Sequence, residues 1–227
     1  MKLQFQIDTD QNTTAIEAEI GTFVIAGWAG RDQAAIEHHI QELAELGVPR
    51  PSAVPLFYRV AANQLVQDET VQVVGPESSG EAEALVFSSA GSMYVSLASD
   101  HTDRKLEAHS VALSKQLCIK PVARHAWLFD SVAGHWDELL LRSWITENGE
   151  TVLYQEGPMS QLRAPRDLIR IHFGVGDIPP GCAMTCGTVA TLGPIRPSAS
   201  FSMELHDPVL GRSIRHRYTQ DILPEIA

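Results

Sequence analysis

The sequence predicts a mostly-β α+β fold, on three observations. Short runs of alternating apolar residues outnumber helical patterns, and turn residues arrive about every 8–12 positions. Strand and helix patterns do not alternate regularly, as they would in a doubly wound sheet. No glycine-rich loop of nucleotide-binding form occurs, and no sequence period of about 20–50 residues recurs, which excludes repeat architectures.

Residues 2–7 and 16–25 alternate as strands do. Residues 32–46 predict a helix, with Asp32 at its start, apolar residues at helical spacing and Gly47 as its stop. At about 100° per residue Ile36, His39, Ile40, Leu43 and Leu46 share one side, so His39 faces inward and His38 points nearly the opposite way. Residues 48–55 carry three prolines and form a loop. Strands follow at 56–60, 69–74, 81–87 and 92–98, then one charged helix over 102–116. Further strands are expected at 139–146 and 151–155. A short helix at 165–172 precedes the turn Pro179-Pro180-Gly181, and the last strands are 184–190, 199–205 and 213–218.

The chain has 227 residues, 44% hydrophobic and 20% charged, a globular composition that suits one sizeable core. Acidic residues outnumber basic ones, 28 to 17, for a formal charge of −11. That balance disfavours nucleic acid, whose phosphates need a basic footprint, and an acidic membrane surface. No apolar run approaches the roughly 18 residues of a membrane span, and the N-terminus lacks a signal-peptide core, so a cytoplasmic protein is expected. Cys118, Cys182 and Cys186 are odd in number, and no second Cys/His pair closes a zinc site, which predicts buried free thiols.

Four constellations carry chemistry. Glu81-Ala82-Glu83 puts two carboxylates on one face of a strand. A lone Glu-x-Glu equally fits a solvated edge, but here it opens the apolar run Ala84-Leu85-Val86-Phe87. If that strand and the next form a hairpin, Asp100 returns to the end holding Glu81 and Glu83. Three carboxylates would then converge, an all-oxygen set suited to Mg²⁺, Mn²⁺ or Ca²⁺. Asp100 or Thr102 also fits a helix cap. On the first helix Glu42 lies three residues after His39, where a carboxylate can orient an imidazole and raise its basicity; a core histidine satisfied by Glu42 is the plainer alternative. Gly187-Thr188, after Cys186, offers a backbone N–H and a hydroxyl to an anion, or simply a glycine bulge in a strand.

In this order the pieces resemble the fumarylacetoacetate hydrolase superfamily. Its N-terminal signature is matched by Val24-Ile25-Ala26-Gly27-Trp28 and His39-Ile40-Gln41-Glu42-Leu43, and its Leu-Phe-x-Lys stretch by Leu56-Phe57-Tyr58-Arg59, with Arg in place of Lys. Glu81-Ala82-Glu83 matches its metal motif, and Ser99-Asp100-His101-Thr102-Asp103-Arg104 its Asn-Asp-x-Ser/Thr-x-Arg motif. Lys115, with Lys120 as second choice, fits its active-site lysine. Asn148-Gly149, Gln155, Gly157, Pro180-Gly181 and Gly187-Thr188 match later signatures. The interval from Glu83 to Asp100 is shorter than is usual in the family, which implies a trimmed loop, and segments 99–107 and 207–212 look like a distinct branch.

The resemblance implies a mixed β-roll over residues 1–227. Residues 1–60 would form N-terminal strands, a lid helix and a loop, and residues 61–227 the roll; a homodimer is implied as well. It implies Mg²⁺ or Mn²⁺ on Glu81, Glu83 and Asp100, and a small anionic 2-oxo acid or 1,3-dicarbonyl substrate reacting through a metal-stabilised enolate. His39 and Glu42 would handle the proton, Lys115 would stabilise negative charge, and Arg59, Arg104, Gly187 and Thr188 would hold the substrate's anionic end. C–C hydrolysis, decarboxylation and isomerisation all fit such a site. A C–N hydrolase and a non-catalytic binding protein are the competing readings.

Overall fold

The computed structural model describes residues 1–8, 13–45 and 50–226. The first strands are β1 (Lys2–Asp8), β2 (Thr13–Glu19) and β3 (Thr22–Gly27), followed by α1 (Gln33–Glu45), β4 (Leu56–Val60) and β5 (Thr70–Val74). Next come β6 (Ala82–Ser89), β7 (Ser92–Ser99), α2 (Arg104–Glu107), α3 (Val111–Leu117) and β8 (His125–Leu128). The C-terminal part holds β9 (Leu140–Glu147), β10 (Glu150–Pro158), α4 (Pro165–Phe173), β11 (Cys182–Thr185), β12 (Ser200–Asp207) and β13 (Arg212–Leu223). The result is a mostly-β mixed roll of the fumarylacetoacetate hydrolase type with few short helices.

One sheet has eight strands in the order β2-β1-β8-β7-β6-β11-β3-β4; the other has five, β10-β9-β12-β13-β5. Most pairs are antiparallel, but β1 with β8, β11 with β3 and β13 with β5 are parallel. The central strands are buried on both faces, so their apolar residues serve two cores by simple alternation. Val24, Ala84, Val86 and Met184 face the core shared with Leu141, Phe201, Met203 and Tyr218 of the second sheet. Phe23, Ile25, Leu85, Phe87 and Ala183 face a second core with Leu3, Phe5 and Ile20.

Several boundaries differ from the sequence reading. The run 16–25 is two strands: Gly21 and Thr22 donate their backbone N–H groups to Gly181 O (2.9 and 3.1 Å), which breaks the strand at the Pro-Pro-Gly turn. The helix expected over 102–116 is also two pieces, each with its own N-cap. Asp103 accepts from Leu106 N at 2.7 Å and Ser110 from Leu113 N at 3.3 Å, so neither Asp100 nor Thr102 is the cap. The strand expected at 184–190 stops at Thr185, because Gly187 takes a φ of 86°. Strand β8, which the sequence reading did not single out, joins β1 to β7. The three cysteines are buried and unpaired. Among the described residues no helix is long and apolar enough to cross a membrane, which leaves β-barrel spans untested.

Candidate metal centre

The β6–β7 hairpin forms as expected. Its two-residue turn, Ala90-Gly91, has φ of 48° and 80°, the left-handed pair that suits the twist of a tight hairpin. Pairing of Ala82 with Ser99 brings Asp100 opposite Glu81, and Asp100 N donates to Glu81 O at 2.9 Å. Glu83 lies on the same face of β6 as Leu85 and Phe87, so the carboxylates form the polar end of an apolar core. Gly80 permits this approach: a β-carbon there would stand 2.6 Å from the Tyr218 hydroxyl and 2.8 Å from the Phe201 ring.

One carboxylate oxygen from each of Glu81, Glu83 and Asp100 lies within 4.8 Å of the other two. Each residue is held through one oxygen, Glu81 by an ion pair and the other two by hydrogen-bond donors. Arg104 Nη2 sits 3.0 Å from Glu81 Oε1, Gly187 N donates to Glu83 Oε2 at 2.9 Å, and Lys115 Nζ donates to Asp100 Oδ2. Asp100 Oδ1 is buried without a hydrogen-bond partner, although Lys120 Nζ lies 3.4 Å away. A buried, unpartnered carboxylate oxygen beside two further carboxylates fits a hard divalent cation, which prefers oxygen ligands and neutralises the charge.

The electrostatics point the same way. Burial pushes the Glu83 carboxyl well above its ordinary range, and the Asp100 and Glu81 charges add to that push. Burial also works to raise Asp100, but Lys115 and Lys120 outweigh it and hold its carboxyl below the usual value. Burial disfavours the Lys115 ammonium, yet Asp100 and Glu81 more than compensate and keep it charged.

The cations separate by role. Lys120 is enclosed: Nζ donates to the carbonyls of His101 (2.5 Å), Lys115 (2.6 Å) and Cys118 (3.1 Å). Lys115 reaches Asp100 and lies 5.6 Å from the centre of the Tyr58 ring. Arg104 donates to Ser79 Oγ (2.7 Å) and Glu107 Oε2 (2.8 Å) besides pairing with Glu81, so its guanidinium braces the acid cluster. Arg59 lies exposed on β4 and reaches Gly21 O at 3.4 Å. Strand alternation turns its neighbour Tyr58 to the Lys115 side instead.

Gly187 joins the cluster through its N–H, and its positive φ and the 2.8 Å approach of Ala29 Cβ exclude a side chain there. The Thr188 hydroxyl is engaged internally, donating to Ala82 O (2.7 Å) and accepting from Gln155 Nε2 (2.7 Å). The side chains of His39 and Glu42 lie outside the described residues.

The sequence reading meets Gln155 only as a signature match and His101 only within the Asp100 motif; in the structure both are supports of the site. Buried Gln155 accepts from Ala82 N and Ser143 Oγ and donates to Thr188 Oγ1 and Val189 O, clamping the start of β6 to the Gly187 loop. Buried His101 shares a 2.9 Å hydrogen bond with Tyr218, which also bonds Ser99. Burial, with Lys120 and Arg104 nearby, lowers the His101 pKa to about 3, so the ring is neutral. The Asp100-His101 dipeptide was visible in sequence; its partner lies 117 residues away and was not.

The roll and its acid cluster place the chain among proteins with the fumarylacetoacetate hydrolase fold. It belongs to the family described as "Protein of unknown function (DUF2848)", whose model matches residues 26–218. No curated protein matches the sequence. Among solved structures, a hexagonal crystal form of 2-keto-3-deoxyarabinonate dehydratase is similar, with TM-score 0.64 and 15% identity over 90% of this chain and 75% of that one. The 2-keto-3-deoxy-D-arabinonate dehydratase complexed with magnesium and 2,5-dioxopentanoate gives 0.63 and 15%, over 91% and 75%. The 4-oxalocrotonate decarboxylase of Pseudomonas putida G7, complexed with calcium and acetate, gives 0.52 and 17%, over 90% and 78%. At these identities the likeness establishes the fold.

Proposed function

We propose that the protein is a divalent-metal-dependent lyase or hydrolase acting on a small anionic 2-oxo acid or 1,3-dicarbonyl compound. The observation that carries this reading is the trio Glu81, Glu83 and Asp100, the last two buried, with an Asp100 oxygen left without a hydrogen-bond partner. Glu81, Glu83 and Asp100 would hold Mg²⁺ or a similar hard cation. Bound there, the cation would supply Lewis acidity toward the substrate. The dehydratase and decarboxylase with this fold, one crystallised with magnesium and the other with calcium, support the same general chemistry.

The protein's own groups divide the remaining work. Lys115, held charged beside Asp100, places a positive charge where negative charge develops on the substrate. Arg104 and Gly187 N fix Glu81 and Glu83 in position before any ligand arrives. His39, oriented by Glu42, is assigned the proton transfer from its place on α1.

Mg²⁺ should raise the melting temperature of wild type, by about 2.7 kcal/mol of stability at a hundredfold excess over Kd. Glu83→Gln, which keeps the shape and removes the charge, should lose that response. Acylpyruvates, oxaloacetate and unsaturated 2-oxo diacids, followed by ultraviolet absorbance, then identify the reaction. No stabilisation of wild type by any divalent ion would sink the metal reading, and bound metal without turnover would move the assignment to C–N hydrolysis or binding.

A further inference from the structure

The arginines expected from the sequence to hold the substrate's anionic end are engaged elsewhere. Arg104 braces Glu81 and Glu107, Lys120 serves Asp100 and backbone carbonyls, and Arg59 is exposed beside Gly21. A different arginine is unengaged. Among the described residues Arg163 forms no ion pair, it is half-buried, and its Nε is buried without a hydrogen-bond partner. A guanidinium kept partly out of water with a donor unsatisfied calls for an anionic acceptor.

The backbone determines which way it faces. Gly30 and Leu162 form an antiparallel bridge, closed by Arg31 N to Gln161 O (2.9 Å) and Arg163 N to Ala29 O (2.8 Å). Residues directly opposite each other in an antiparallel pair point to one side, so Leu162 points one way and Arg163 the other, on the side of Ala29, itself buried. That face looks onto the Gly187 loop. Ala29 Cβ lies 2.8 Å from where a Gly187 β-carbon would stand. The Gln161 amide and Val189 crowd the same point at Gly157, 3.0 and 3.1 Å from a β-carbon there. Gly187 in turn donates to Glu83. Arg31, on the same face, is held by Asp137 through two contacts of 2.7 and 2.5 Å. Arg163 is therefore an unengaged cation on the side of Ala29 and the Gly187 loop, whose N–H holds Glu83.

We propose that Arg163 binds a carboxylate of the substrate, which makes the site selective for oxo acids over neutral dicarbonyl compounds. The inference rests on the metal site proposed above. A charge-assisted hydrogen bond to a carboxylate is shorter and stronger than a neutral one, and arginine can make two at once.

The test is calorimetric titration of the Mg²⁺-loaded protein with pyruvate and, separately, with acetylacetone, which offers two chelating oxygens and no carboxylate. Wild type should bind pyruvate. Arg163→Met should weaken pyruvate by about tenfold or more, the size of one charged hydrogen bond. It should leave acetylacetone and Mg²⁺ affinity unchanged. Arg163→Lys, which keeps the charge, should recover part of the loss and serves if the Met variant folds poorly. Pyruvate affinity within twofold of wild type in Arg163→Met, or equal losses for both ligands, overturns the assignment. So does Mg²⁺-loaded wild type that fails to bind pyruvate. Absence of Mg²⁺ binding by wild type is a separate result and overturns the metal reading itself.

Discussion

Glu83 and Asp100 are both buried carboxyls a few ångströms apart, yet burial wins at one and not at the other. Asp100 has two ammonium groups beside it and is held below its usual range; Glu83 has a backbone N–H and two like charges, and is pushed well up. A carboxyl whose folded pKa is raised stabilises the fold below its unfolded value, near 4.5, and that contribution fades as pH rises toward the folded value. Metal-free wild type should therefore lose stability relative to Glu83→Gln as pH rises above the unfolded value, and saturating Mg²⁺ should abolish the difference. Parallel melting curves of the two metal-free proteins across that range would contradict the account. At this scale the three acids were legible because the i, i+2 spacing and the short hairpin are local. The partners of Arg104 and Lys115 were not, since a long cation's destination depends on which carboxylate the fold brings within reach.

At the level of elements, the site is a strand end propped by the loop that follows the neighbouring strand β11. Gly187 contributes its N–H to Glu83 from a backbone conformation that L-residues rarely adopt, with Ala29 against its α-carbon. Gly187→Ala should lower stability by about 1–3 kcal/mol. It should also weaken Mg²⁺ binding, measurable by urea denaturation with and without the ion. A variant that melts lower but binds Mg²⁺ unchanged would separate the loop from the metal centre. The hairpin of β6 and β7 was readable from two apolar runs and a Gly-containing turn. The division of residues 102–116 into α2 and α3 was not, because periodicity continues through the break while Asp103 and Ser110 restart the hydrogen bonding. Gln155 stands out in sequence as a signature match, but its role does not; only the meeting of β6, β9 and the 188–189 segment gives it four partners.

For the whole molecule, the class of fold followed from the count and spacing of strands, whereas strand order did not. Local pattern identifies β11 as a strand, but nothing in it states that four residues after a proline turn, Cys182–Thr185, separate β3 from β6. That position bears on how the chain is made. Until about residue 185 has left the ribosome, β3 and β6 each present an open edge, and neither can complete its sheet. Glu83 also waits for Gly187 to be translated. Long-range pairing of this kind is slow and leaves edges exposed to aggregation. A chain ended at residue 180 should be insoluble or proteolysed, although it contains all three carboxylates. A truncated product with a cooperative melting transition would show that the roll closes without its centre strand.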